Sequence, residues 1–304
     1  MSSIGGQAVL EGVMMRGPGN WAVAVRTPKG DIAHVAQKVE SKMAKHRLFR
    51  LPIIRGVMAL GESLAIGFRA LAISANYAAQ EEGDEDGKEV STELSRGALI
   101  FAFAVAIVFA LLLFKVGPAL IVDKLIPVHS GGWFVIVEGL VRVTIFILYL
   151  FLISLLPDLR RVFEYHAAEH KAINAYEAGE PLEPEIVQRY SLIHPRCGTA
   201  FLLWVMVIAV FVFAFFGRPA WYWLIVTRIA FLPLIAGIAY ELIRFAGKHQ
   251  NRIVMTILAP GLWLQRLTTR EPTLDQLEVS IRALREVLQL EESAVGDNRV
   301  EVMA

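Results

Sequence analysis

The sequence predicts a mainly α-helical, polytopic membrane protein: four transmembrane helices in two hairpins, with a small N-terminal β-hairpin and cytoplasmic or interfacial helices beside them. Three observations carry this prediction. Of 304 residues, 55% are hydrophobic and only 19% are charged, too apolar a balance for an ordinary soluble domain. Four apolar stretches, about Gly97 to Val122, Trp133 to Leu156, Thr199 to Phe216 and Pro219 to Ile243, are long enough to cross ~30 Å of hydrocarbon. The segments joining each pair, Asp123 to Gly132 and Gly217 to Pro219, are short, so each pair is a tight helical hairpin.

Taken in order, residues 1–50 open with the glycine-rich run Gly5 to Gly17, which matches neither a Walker A pattern nor a dinucleotide fingerprint. It suits a tight turn, or a place where the backbone at Gly5 and Gly6 approaches an anion with help from Arg16. Trp21 to Val39 alternates around Pro28-Lys29-Gly30-Asp31, the one convincing strand signal, and predicts a β-hairpin. In 51–80, Leu51 to Ala79 is rich in Ala and Gly but interrupted by Arg55, Glu62 and Arg69. A fifth crossing would bury these three ionisable groups, so the segment is expected as a helix at the interface or against the bundle.

An acidic linker fills 81–96, and 97–156 is the first transmembrane hairpin. The loop 157–198 begins with a helix over Asp158 to Ala178, capped by Asp158 and stopped by Gly179. The second hairpin occupies 199–244. In 245–304, Ile253 to Leu267 is short and contains Pro260-Gly261, which predicts a re-entrant or interfacial turn. Leu274, Leu277, Ile281, Leu284 and Leu288 then form one apolar stripe that should dock on the body.

Charge sets the orientation. The short connections hold Lys124 and Arg218, whereas Lys42, Lys45, Arg47, Arg50, Arg55, Arg96, Arg160, Arg161, Arg189, Arg196, Arg244, Lys248 and Arg252 fall in the other flanks. Both termini and the central loop are therefore expected in the cytoplasm. Met1 to Met14 has no signal-peptide pattern, and the lone Cys197 suits a reducing compartment. A net charge of +1 gives no basic field, so nucleic acid is not an expected partner.

The sharpest chemical signal is His166-Ala167-Ala168-Glu169-His170. Offsets of three and four put the two imidazoles and the carboxylate on one helix face, the H-x-x-E-H arrangement in which two histidines grip a metal and the glutamate reaches a bound water. The competing interpretation is a polar face of hydrogen-bonded histidines. His194, Cys197 and Glu241 are candidates for a third ligand, although Cys197 alone reads as a small core residue. Four protein ligands would make a closed structural zinc site, and three would leave room for water. Within the bilayer, Glu138, Arg142 and Arg228 read as a helix-bundling ion-pair network, with a proton or ion path as the alternative.

GGQAVLEGVMMRGP, EYHAAEHKAINAYE, HPRCGTAF and LTTREPTLDQLEVSIRAL resemble the YqhQ family of bacterial membrane proteins across nearly the whole chain. The resemblance implies a multi-pass protein of the bacterial inner (plasma) membrane, of unknown function and labelled a metal-dependent enzyme. The label falls on His166, Glu169 and His170, with His194 and Cys197 beside them.

The leading expectation is a membrane-embedded hydrolase using a divalent metal, Zn²⁺ or similar, with Glu169 as general base. The alternatives are a non-catalytic scaffold or assembly factor with a structural metal, and a small transporter or channel. Expected partners are the lipid bilayer and a peptide or lipid-linked substrate, and a homo-oligomer is compatible with this placement.

Overall fold

The computed structural model of the protein describes residues 4–39, 47–79, 96–125, 131–217, 221–249 and 251–301. The expected acidic linker lies outside these save for position 96, as do Lys42, Lys45 and Arg218. The strands are β1 (Gly5–Val9), β2 (Gly12–Arg16), β3 (Asn20–Arg26) and β4 (Ile32–Lys38). The helices are α1 (Ile54–Ala79), α2 (Arg96–Leu111), α3 (Gly117–Leu125), α4 (Gly131–Ile153), α5 (Pro157–Ala178), α6 (Pro184–Val187), α7 (Gly198–Ala214), α8 (Trp221–Lys248), α9 (Arg252–Thr268) and α10 (Leu274–Glu301).

The strands form an antiparallel meander in the order β1-β2-β3-β4. The expected hairpin is β3–β4, with Gly30 at φ +93° in its turn. The glycine-rich run ahead of it, expected as a turn, is instead the hairpin β1–β2. The reason is burial on both faces: Val13, Met14 and Met15 are all buried, so β2 reads as a continuous apolar run without alternation. Gly12 is required by the close approach of β3, since a Cβ there would stand 2.2 Å from the Ala24 carbonyl oxygen.

The sheet is the middle layer of three. On one face Met14, Trp21, Val23 and Val25 pack with Ile66 and Ala70 of α1. On the other, Val13, Met15, Ala22 and Ala24 pack with Tyr165, Ala168 and Ala172 of α5 and with Leu277, Leu284 and Val287 of α10. The apolar stripe of α10 thus docks as its spacing predicts, with only Leu274 left exposed. α5 starts at Pro157, one residue before the expected cap Asp158, because proline's fixed φ and missing N–H suit a first helical position. It ends at Gly179, φ +79°, where the Glu180 N–H bonds to the Ala175 carbonyl.

Four helices are long and apolar enough to cross a membrane: Ile54–Ala78, Ala104–Leu125, Gly132–Ile153 and Val226–Gly247. Three coincide with expected spans. The fourth is α1, whereas α7, expected as a span, has 17 residues and a length of roughly 25 Å. Two of the three charges that argued against α1 are paired, Arg55 with Glu241 at 2.6 Å and Glu62 with Arg16 at 2.8 Å. Its N-terminal half lies on α8, with Gly56 against Tyr240, and its C-terminal half covers the sheet.

Residues 253–267, expected as a re-entrant or interfacial turn, are part of one continuous helix, α9. Asn251 caps it by accepting the Val254 N–H, and Gly261 lets it settle against Ala200 of α7. Phe101, Val105, Leu148, Phe211 and Ile229 are exposed on the outer faces of the long helices, a surface suited to lipid.

Candidate metal centre at the base of the bundle

α5 carries chemistry on the face opposite its sheet contact. Tyr165, Ala168 and Ala172 turn into the three-layer core, while His166 faces the end of α9, His170 faces the loop 188–197, and Glu169 lies beside Gly6 of β1. That loop is pinned from two sides. Gln265 of α9 accepts the His194 N–H and donates to the His194 carbonyl, both at 2.9 Å, while Asn174 donates to the Ser191 and Ile193 carbonyls.

Two carbonyl groups orient the histidines, one in the pinned loop and one at the end of α9. His166 Nδ1 lies 2.8 Å from the Thr268 carbonyl oxygen and His170 Nδ1 lies 2.6 Å from that of Leu192. A carbonyl only accepts, so each Nδ1 carries the proton and each Nε2 presents a lone pair in the neutral ring. Cys197, the residue at the N-cap of α7, brings its sulfur to 3.2 Å from His166 Nε2. His166, His170 and Cys197 offer donor atoms that all lie within 4.8 Å of one another, a group that could hold a metal ion. Ligands on one tetrahedral zinc stand roughly 3.4–3.6 Å apart, so little movement would seat an ion. His170 Nε2 is buried without a hydrogen-bond partner among the described residues, which is what a ligand atom awaiting a cation looks like.

Charge follows from this geometry. Burial alone would lower the His166 pKa, but the Cys197 sulfur, aided by Glu169 and the Thr268 carbonyl, raises it to about 9. His170 is raised by the same sulfur and by Glu169 against the same burial. Burial would raise the Cys197 thiol, and the two imidazoles outweigh it and hold the thiol well below its ordinary value.

Glu169 is buried beside Gly6 of β1, where a Cβ on Gly6 would stand 2.7 Å from Glu169 Cγ. The structure does not bring the other candidates into the cluster. His194 directs Nε2 to Glu177 at 3.5 Å, and its Nδ1 is 3.4 Å from the Arg196 N–H. Glu177 also pairs with Arg196; burial would raise its pKa, but His194 and Arg196 pull it down to about 2. Glu241 is engaged by Arg55 through both oxygens. Arg16, expected as an anion aid, donates to Glu62 and Ser63, while Gly5 lies at an open position of β1.

A separate charge cluster lies between α3, α4 and α8. Glu138 accepts from Arg142 and, at 2.8 Å, from Arg228. Arg142 Nε donates at 2.9 Å to the Phe114 carbonyl, which belongs to the π-helical turn Leu112–Val116 joining α2 and α3.

The sequence gives no role to Gln265, Thr268 and Leu192, and it marks Gly6 for an anion, not for its contact with Glu169. Gln265 alone had a signal, as an amide inside the apolar run of α9. The others act through backbone atoms or through the lack of a side chain, and so leave no chemical trace in residue type.

The uncharacterized protein YqhQ of Bacillus subtilis (strain 168) is 31% identical over 294 residues, 94% of this chain and 92% of that protein. No solved structure matches. A family model described as a protein of unknown function (DUF1385) matches residues 51–290, a span that takes in every member of the His166, His170 and Cys197 cluster, and the chain belongs to that family.

Proposed function

We propose that the protein is a metal-dependent hydrolase of the bacterial plasma membrane, with both termini in the cytoplasm and its site at the inner bilayer surface. One observation carries the proposal: His166 Nε2, His170 Nε2 and Cys197 Sγ converge, and both rings are oriented through Nδ1 by carbonyls, as ligating histidines are. A divalent ion such as Zn²⁺ there would keep one tetrahedral position for water and lower its pKa to about 7. Glu169, one turn after His166 and next to His170, would take the proton as general base. The orientation rests on Arg160, Arg161, Arg196 and Arg244, which gather in the flanks outside the short connections. A peptide or lipid-linked substrate suits a site at that level.

The test is metal analysis of the full chain in nanodiscs. His166→Ala and His170→Ala should each lower bound metal sharply, whereas Glu169→Gln should keep the metal and lose turnover. Full occupancy in the double histidine variant would sink the proposal.

The 3.2 Å contact between Cys197 and His166 favours a second interpretation, a metal-free thiolate–imidazolium pair with Cys197 as nucleophile. Activity that survives chelation and is lost to alkylation would select it.

A further inference from the structure

The register of the sheet leaves β1 with a free edge beside the cluster. Arg26 donates its N–H to the Glu11 carbonyl and Gly17 donates to the Asn20 carbonyl, both at 2.8 Å, so Val13 and Met15 between them bond to β3. Gly12, Met14 and Arg16 then turn their backbone groups to β1, where they face Val9, Gln7 and Gly5. The N–H and C=O groups of Gly6 and Ala8 consequently point away from the sheet, and among the described residues neither is hydrogen-bonded.

Natural edges are usually blunted by charge, proline or a bulge. β4, the opposite edge, carries His34 and Lys38, whereas β1 reads Gly-Gly-Gln-Ala-Val and has none of these devices. The open line also has definite neighbours. At Gly6 it passes Glu169, and at Ile4 its carbonyl is taken at 3.2 Å by Arg196, the residue before Cys197. An edge of alternating donors and acceptors is matched by another extended backbone, and a lipid headgroup cannot supply that alternation.

We propose that an extended peptide binds as a fifth strand on the free edge of β1, hydrogen-bonded to Gly6 and Ala8, and is the substrate delivered to Glu169 and the cluster. The delivery half rests on the hydrolase proposal, and the binding half stands without it. Cleavage adds one water across the amide: the C–O bond forms, the C–N bond breaks, and Glu169 passes the water's proton to the leaving nitrogen.

The experiment follows amide exchange in the full-length Glu169→Gln protein in nanodiscs, with and without a decapeptide pool randomised at every position. A second pool, N-methylated at every residue so that neither edge of the peptide can pair, serves as the comparison. The unmethylated pool should slow exchange at Gly6 and Ala8 at least tenfold, leave Gln7 and Val9 as slow as before, and outcompete the methylated pool at least tenfold. Ala8→Pro, which removes an outward N–H and no ladder bond, should abolish the difference between pools. No slowing, equal effects of the two pools, or protection already complete without peptide would each overturn the proposal, the last by placing another segment of the chain on the edge. Repeating the measurement with His166→Ala separates the two claims. Protection that persists there beside an absence of metal in the wild type would remove the hydrolase and leave the strand site standing. Turnover insensitive to N-methylation would do the reverse.

Discussion

His170 donates its Nδ1–H to the Leu192 carbonyl at 2.6 Å, and its buried Nε2 has no hydrogen-bond partner among the described residues. His194 sits next to the same ring, with centroids 5.9 Å apart, yet turns its Nε2 to Glu177. The candidate donor set is therefore His166, His170 and Cys197, and it is separable by mutation. Cys197→Ala should lower metal content of the purified protein by at least about tenfold, and His194→Ala and Glu241→Ala should leave it close to wild type. Mass-spectrometric metal counting checks this. Retained metal in Cys197→Ala, or loss in His194→Ala, would redraw the set.

The cluster's protons give a pH dependence of definite sign. His166 is raised from 6.5 to about 9, so without metal its contribution to stability is full below pH 6.5 and is lost as pH rises through 9. Cys197 is depressed, so its contribution is present above the ordinary thiol value and is lost only when pH falls through its lower folded value. Metal must displace the imidazole proton. Apparent affinity should rise at least tenfold per pH unit from neutrality to about 9, since the His166 proton must leave and His170, also raised, gives up a proton as well. Chelator competition across that range measures it, and a flat profile would mean that the cation does not bind these nitrogens.

The sequence made three of the four long apolar helices legible because length and apolar composition mark a bilayer span, whereas Arg55, Glu62 and Arg69 disguised α1 and α7 proved shorter than a span. The sequence obscured β1–β2 for the converse reason: two covered faces erase the alternation on which strand recognition depends, and Gly5, Gly6 and Gly12 imitate a loop. His166, Glu169 and His170 were legible because one helix carries all three at fixed offsets. Choosing Cys197 over His194 and Glu241 needed tertiary information, namely the Gln265 clamp that sets the loop and the Arg55 pair that occupies Glu241.

Glu138 serves two guanidinium groups at once, those of Arg142 and Arg228, and is 1% exposed. Removing it leaves the buried Arg142 and the half-buried Arg228 unneutralised, whereas removing Arg228 leaves the Glu138–Arg142 pair intact. Glu138→Leu should destabilise the protein by about 3–5 kcal/mol and Arg228→Leu by distinctly less. Thermal unfolding in one detergent compares them, and equal losses would show that Arg228 is the partner that matters.

Orientation is open to direct labelling. On a Cys197→Ser background, a cysteine at Glu180, just beyond α5, should be protected from a membrane-impermeant thiol reagent in intact cells. One at Ser130, outside the described residues in the connection between Ala104–Leu125 and Gly132–Ile153, should react. The opposite pattern would invert the topology and place the cluster outside.

Gly6 offers the most local test of how the sheet serves the site. A methyl group there would meet Glu169 Cγ at 2.7 Å and the Met14 carbonyl oxygen at 2.8 Å, while one on Gly5 would meet nothing within 4 Å. Both residues are in β1 and both substitutions carry the same small cost or gain in chain entropy, so the pair isolates the contacts with Glu169 and the Met14 carbonyl. Gly6→Ala should push the carboxylate from its place without touching His166, His170 or Cys197. Metal content should then stay at the wild-type level while turnover of any peptide cleaved by the wild type falls by roughly 10–100-fold, the penalty of a displacement near 1 Å. Gly5→Ala should match wild type in both readings. Equal turnover in the two variants would detach Glu169 from the chemistry, and loss of metal in Gly6→Ala would mean that β1 holds up the cluster itself and not the base beside it.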